Sequence, residues 1–292
     1  MEILEILKII LLGIIEGITE WLPISSTGHM ILFERLSEEL FPLTTLSDAF
    51  MDMFEYVIQL AAMLAVVLIF WKRIFPLDVR TNAHSNTAEQ GKKIQLIWKN
   101  DVLALWLKVI LACVPALLAL VIDSLFSNLS ATMETAVIAS ALIVYGVAFI
   151  IIETFHKTDG KIQEISQLSY KYAFFIGCAQ VLAAIPGTSR SGITILAALL
   201  LGVSRTTAAE FTFFLAIPTM VGSSAYKVLK FFLNGNAMSA SEVGYLLIGS
   251  AVAFAVSIFV VKFLMDFVKK HDFKVFGWYR IGLGIVVLLS LL

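Results

Sequence analysis

Six runs of roughly twenty mostly apolar residues limit what this 292-residue chain can become, at about 54–71, 103–122, 135–153, 211–230, 243–265 and 276–292. A helix needs about 20 such residues to cross the hydrocarbon of a bilayer. Two further apolar stretches, 1–33 and 173–201, are each interrupted near the middle by proline, glycine and hydroxyl residues. Each half is about 10 to 15 residues, too short to cross alone. Non-helical backbone at membrane depth must be buried in protein or line a wet cavity, so both stretches are expected to be re-entrant helix–loop–helix hairpins. The sequence therefore predicts an all-α polytopic membrane protein with six transmembrane helices and two re-entrant hairpins. Composition agrees, with 59% hydrophobic and 15% charged residues against about 45–50% and 25% in soluble domains. A net charge of −1 provides no basic face for nucleic acid. Cys113 and Cys178 match no metal or disulfide spacing and are read as buried structural residues. The opening MEILEILKII carries acids where a signal peptide carries bases, and reads as mature sequence.

Loop charge sets the expected orientation. Lys72, Arg73, Arg80, Lys92, Lys93 and Lys99 crowd the 72–101 loop, and lysines recur at 157, 161 and 171 and at 269, 270 and 274. The 123–134 and 231–242 connections contain neither Lys nor Arg. The positive-inside rule places the first three loops in the cytoplasm and the last two outside. The acidic 34–53 segment then falls outside, and both termini are expected to be external. Offsetting the chain by about 160 residues pairs the two broken stretches and then three spans in each half. An odd number of crossings inserts the second half upside down, so residues 1–156 and 157–292 are expected to form an inverted-topology repeat, whose sites commonly lie between broken helices.

The two breaks hold the chemistry. Laid with Pro23 on Pro186, they read PISSTGH and PGTSRSG. Glu16 and Glu20 are four apart, on one helix face, and two such carboxylates repel unless a cation separates them or one is protonated. All-oxygen ligands suit Mg²⁺ or Ca²⁺. Pro23 ends the first half-helix, and Ser25, Ser26 and Thr27 are good capping residues for the second. The start of a half-helix offers free N–H groups and a positive dipole end to an anion such as phosphate. Ser26 and His29 lie on one face of that first turn, a hydroxyl beside an imidazole able to take its proton; a capping serine and a satisfied histidine explain the pair as well. In the second break Thr188, Ser189, Arg190, Ser191 and Thr194 surround a turn, and the Arg190 fork suits phosphate oxygens. A salt bridge to Glu16 or Glu20 serving assembly alone is the other reading of Arg190. Gln59, Gln180 and Glu210 read equally as cavity lining or as partners for backbone.

The signatures EGITEWLPISSTGH (residues 16–29) and PGTSRSGIT (residues 186–194) closely resemble those of the undecaprenyl-diphosphate phosphatase family of the bacitracin-resistance type, over essentially the whole chain. The resemblance implies removal of the terminal phosphate of a polyprenyl diphosphate lipid, recycling the cell-wall lipid carrier. It also implies a multi-pass protein of the bacterial plasma membrane, a divalent cation as cofactor and a site open to the outer face. Carried over by position, the essential acids are Glu16 and Glu20, the nucleophile Ser26, the histidine His29 and the arginine Arg190. The expected mechanism holds the ion on Glu16 and Glu20 and clamps the terminal phosphate with Arg190, Ser189 and Thr188. Ser26, deprotonated by His29, then attacks in the favoured version; attack by His29 itself or directly by water is left open. Monomer and homodimer are both left open. A transporter or flippase for an anionic lipid is the alternative, since inverted repeats with broken helices are a transporter design. A second lipid-phosphatase superfamily is disfavoured, because no histidine follows Arg190 until His271.

Overall fold

The computed structural model describes residues 3–37, 46–81, 94–126, 129–155 and 160–290. His84, His156 and the boundary between the two expected halves lie outside them. Among the described residues the helices are α1 (Ile3–Thr19), α2 (Ser26–Ser37), α3 (Asp48–Ile69), α4 (Trp71–Ile74), α5 (Asn100–Cys113), α6 (Ala119–Phe126), α7 (Ala131–Phe155), α8 (Tyr170–Gln180), α9 (Arg190–Leu200), α10 (Arg205–Leu233), α11 (Ala240–Phe267) and α12 (Lys274–Leu289). Several begin where the hydroxyl chemistry says they should. Ser47, Ser169, Ser204 and Ser239 each accept a backbone N–H from the first turn of the helix that follows, satisfying a donor the helix cannot. Among the described residues, four segments are long and apolar enough to cross a membrane: Asp48–Ile69, Asn100–Leu118, Ala131–Phe155 and Ala240–Phe267. The run expected at 211–230 falls in α10, whose 29 residues include Pro218, and the 276–289 part of the run expected at 276–292 falls in α12, with 16 residues, 291–292 lying outside the described residues.

Three expectations need correction. The span expected at 103–122 is present as Asn100–Leu118 but is not α-helical throughout: after Cys113 the chain tightens into a 3₁₀ stretch, Val114–Leu118, before α6. Pro115 lacks the N–H an α-helix would use, and its ring crowds the preceding turn. The 72–101 loop carries α4 and a two-stranded antiparallel ribbon, β1 (Leu77–Thr81) with β2 (Ile94–Trp98), in the register Leu77 opposite Trp98. The run IQLIW has the β-branched and aromatic character that favours a strand. The cysteines are not buried, since Cys178 is exposed and Cys113 only partly covered.

The helices pack as α7 on α12, α3 on α10 and α11, α1 on α11, and α5 on α8. Lipid tails are as apolar as the side chains, so contact between membrane helices depends on close fit and on small residues. A Cβ added at Gly17 would lie 2.8 Å from the Ala253 carbonyl oxygen, and one at Gly177 only 2.1 Å from that of Ala112. Gly146 of α7 and Gly277 of α12 face each other, each leaving 2.7 Å between a would-be Cβ and the other's carbonyl oxygen. Both obstacles there are backbone, so neither helix can yield locally. Gly146→Val should therefore push α12 off α7 and destabilise the protein by about 1–3 kcal/mol, read as a lowered thermal midpoint in detergent. An unchanged midpoint would contradict this close crossing.

Candidate active site

Both broken stretches turn on a serine in an unusual backbone conformation. In the first, α1 ends at Thr19, and the N–H of Glu20 just after it still donates to the Glu16 carbonyl at 3.0 Å. Pro23 then prevents continuation, and the chain restarts as α2 at Ser26. Ser25, just before it, has φ 73°, and its Oγ accepts the Gly28 N–H at 3.4 Å. In the second, Pro186 and Gly187 (φ 85°) lead to Ser189, with φ 70°, whose Oγ accepts the Gly192 N–H at 3.1 Å. Gly187 is required twice over, because a Cβ there would also lie 2.6 Å from the Ile138 carbonyl oxygen. Ser25 and Ser189 are the non-glycine residues with positive φ among those described. Such backbone costs about 1–3 kcal/mol per residue and persists where surrounding structure enforces it. The caps also correct the proline-on-proline alignment by one residue: Ser25-Ser26-Thr27-Gly28 corresponds to Ser189-Arg190-Ser191-Gly192, which places Ser26 opposite Arg190.

One buried side chain holds both breaks. Arg280 of α12 is fully buried, and its guanidinium donates to the Pro23 carbonyl (3.2 Å) in the first break and to those of Gly187 and Thr188 (2.9 Å each) in the second. The Tyr145 ring lies 5.8 Å from the guanidinium carbon. Ser191 adds a second tie, its hydroxyl within reach of the carbonyls of Glu20 (3.2 Å) and Leu22 (3.3 Å). Sequence reasoning passed over Arg280, although a lone arginine inside an apolar run was the available signal.

Glu20 is where the two breaks meet. One of its carboxylate oxygens accepts from Arg190 Nη2; the other accepts from Ser26 Oγ at 3.0 Å and from Gln59 Nε2 at 3.2 Å. Arg190 Nη1 donates to Thr219 Oγ1 of α10 at 3.1 Å. A carboxylate, a hydroxyl and a guanidinium thus share one cluster, with Glu20 buried and the Arg190 side chain 18% exposed. Gln59 and Thr219 join it from α3 and α10. Gln59 was legible only as one of two alternatives, and Thr219 not at all.

His29 departs from the expected pairing with Ser26. Its Nδ1 hydrogen-bonds the Ser25 carbonyl oxygen at 2.8 Å, and its Nε2 the Tyr279 hydroxyl at 2.7 Å. Ser26 Oγ donates its hydrogen bond to Glu20 instead. Spacing along a helix puts Ser26 and His29 on one side, but the rotamer is decided by α12, 250 residues away in sequence.

The remaining expected residues divide. Ser25 and Ser189 cap, Ser191 ties the breaks, and Thr27 is exposed. Thr194 spends its hydroxyl on the Arg190 and Ser191 carbonyls and accepts from Thr212, packing α9 against α10. Thr188 Oγ1, Trp21 Nε1 and Glu16 Oε1 are buried without hydrogen-bond partners among the described residues, and such groups in a native fold call for an explanation. For a cation, no cluster of three or more His, Cys, Asp or Glu side chains is arranged as a cage among the described residues. Glu16 with Glu20 is nonetheless a fit for Mg²⁺, which is usually held by one or two carboxylates with phosphate oxygens and water completing its shell. The partnerless Glu16 oxygen supports that fit.

The chain matches the family model described as bacitracin resistance protein BacA over residues 9–286. Similar proteins include an undecaprenyl-diphosphatase of Enterococcus faecalis, 53% identical with 99% of this chain and 98% of that protein aligned. Another from Streptococcus equi subsp. zooepidemicus is 51% identical over 97% and 95% of the two chains. One from Desulfitobacterium hafniense is 50% identical over 99% and 97%.

Proposed function

The chain belongs to the bacitracin resistance protein BacA family, and from that premise we propose that it hydrolyses undecaprenyl diphosphate to undecaprenyl phosphate and inorganic phosphate. The observation that carries this reading is the Glu20 cluster, where Ser26 of one break and Arg190 of the other converge on a single carboxylate. Arg190 binds the terminal phosphate, and Thr188, whose buried hydroxyl has no partner among the described residues, supplies a further donor. Ser26 Oγ attacks the terminal phosphorus and its proton passes to Glu20, the acceptor it already has. The bond from that phosphorus to the bridging oxygen breaks, and undecaprenyl phosphate leaves. Water then hydrolyses the phosphoserine and releases phosphate. Phosphoryl transfer asks mainly for positioning and charge stabilisation, which these groups provide. Glu16 and Glu20 would hold a divalent cation, Mg²⁺ or Ca²⁺, and the bound ion supplies positive charge to the diphosphate oxygens.

An inverted-topology repeat of 1–156 and 157–292, with six spans and two re-entrant hairpins, frames the site. The helix pairings support it. α3 on α10 and α7 on α12 are self-matching pairs; α1 on α11 has its counterpart in α8 on α5, α3 on α11 in α10 on α5, and α2 on α12 in α9 on α7. The matched serine caps support it too. Lysine-rich loops on the cytoplasmic side of the bacterial plasma membrane then leave the first break open to the outer face and both chain ends outside.

The test is phosphate release by purified protein from undecaprenyl and farnesyl diphosphates. Chelation of divalent ions should lower the rate at least about tenfold and Mg²⁺ should restore it, since the ion offsets charge at the reacting phosphate. Release unaffected by chelator would remove the cation from the mechanism. Binding of polyprenyl phosphate with no phosphate released from either diphosphate would favour a lipid transporter.

A further inference from the structure

We infer that Tyr279 is a positioning residue for the phosphatase reaction, acting through His29 on the serine turn that presents Ser26; the inference rests on the function proposed above. The Ser25 carbonyl oxygen can only accept, so His29 Nδ1, 2.8 Å away, carries the proton. In the neutral ring Nε2 is then an acceptor, and the Tyr279 hydroxyl at 2.7 Å is its donor. The two rings also lie nearly parallel and side by side, with centroids 5.6 Å apart and planes 6° from parallel. A donor at one nitrogen and an acceptor at the other leave the imidazole little freedom to rotate.

The contacts form a continuous line: Tyr279 hydroxyl, His29 ring, Ser25 carbonyl, and the peptide bond that joins Ser25 to Ser26. Ser25 is the residue held at φ 73°, a conformation that must be imposed from outside. Its carbonyl orientation sets the direction in which the Ser26 side chain leaves the backbone. Tyr279 is itself fixed by its neighbour, because Arg280 is anchored on three carbonyls of the two breaks. Consecutive residues of α12 therefore hold both loops and orient the nucleophile of one of them. Since the Ser26 proton goes to Glu20, His29 is free for this supporting part.

Tyr279→Phe removes the hydroxyl and keeps the ring, whereas Tyr279→Leu removes both. With undecaprenyl diphosphate, Tyr279→Phe should lower kcat about tenfold, one hydrogen bond's worth, with KM within about twofold; Tyr279→Leu should lose more. In protein labelled with ¹⁵N-histidine, with the His29 signals assigned by their absence from His29→Asn, Tyr279→Phe should move Nε2 to the position of an unbonded acceptor nitrogen. Unchanged kcat in Tyr279→Phe, or a loss of kcat with the Nε2 signal unmoved, would overturn the inference while leaving the phosphatase reading intact. Wild-type protein that releases no phosphate would overturn both.

Discussion

Alanine in place of Arg190 is expected to cut phosphate release from undecaprenyl diphosphate by about 10³-fold or more, the range found for arginines that neutralise a transferring phosphoryl group. The loss should fall on kcat, because the guanidinium acts on charge that develops at the terminal phosphate. Arg190 lies between a carboxylate and a hydroxyl, Glu20 and Thr219, with its side chain 18% exposed, so it is both held and reachable. Removing it leaves Glu20 buried with a charge but without its cation, and some loss of stability is expected as well. Arg190→Lys separates the two effects. It keeps the charge, and with it most of the stability, but cannot bridge two acceptors with a planar fork. Its rate should remain far below wild type while its thermal midpoint recovers. Near-normal turnover in Arg190→Ala would take this residue out of the mechanism.

The second large effect concerns stability. Arg280→Met would leave the carbonyls of Pro23, Gly187 and Thr188 without the donors they have now, each at a cost of about 1–3 kcal/mol. The sum is comparable to the whole stability of many folds. The expected outcome is a sharp fall in thermal midpoint together with loss of phosphate release. Arg280→Lys, with one charged group for carbonyls in two loops, should recover part of the midpoint. A stable and fully active Arg280→Met protein would show that the two breaks keep their shape without this clamp.

The parts of this architecture that depend on local chemistry could be read from the chain. Length and apolarity announced the membrane helices, and Pro23 and Pro186 marked where two helices had to stop. Charged residues in apolar surroundings singled out Glu20 and Arg190. Their ion pair was foreseen only as the purely structural explanation of Arg190, yet the same contact brings Ser26 and the guanidinium together. What could not be read depends on partners distant in sequence. Nothing near His29 tells that Tyr279 takes its Nε2, and nothing near Tyr279 or Arg280 tells that α12 lies against both breaks. The one-residue shift between proline and serine registers was hidden because it rests on backbone conformation: Ser25 and Ser189 correspond through positive φ and the N–H of a glycine three residues on. The interruption after Cys113 was legible in Pro115, but hydropathy averaged over the whole run concealed it.

The most direct measurement is the rate of phosphate release from undecaprenyl diphosphate by Glu20→Gln, Arg190→Lys and the double variant, taken to low turnover with radiolabelled substrate. If the two interrupted stretches act as one pocket, the substitutions touch the same interaction and their effects will not multiply. The double variant should then lie within about threefold of the slower single variant. Losses that multiply in full would mean that Glu20 and Arg190 serve the reaction separately, and the single shared site would have to be abandoned.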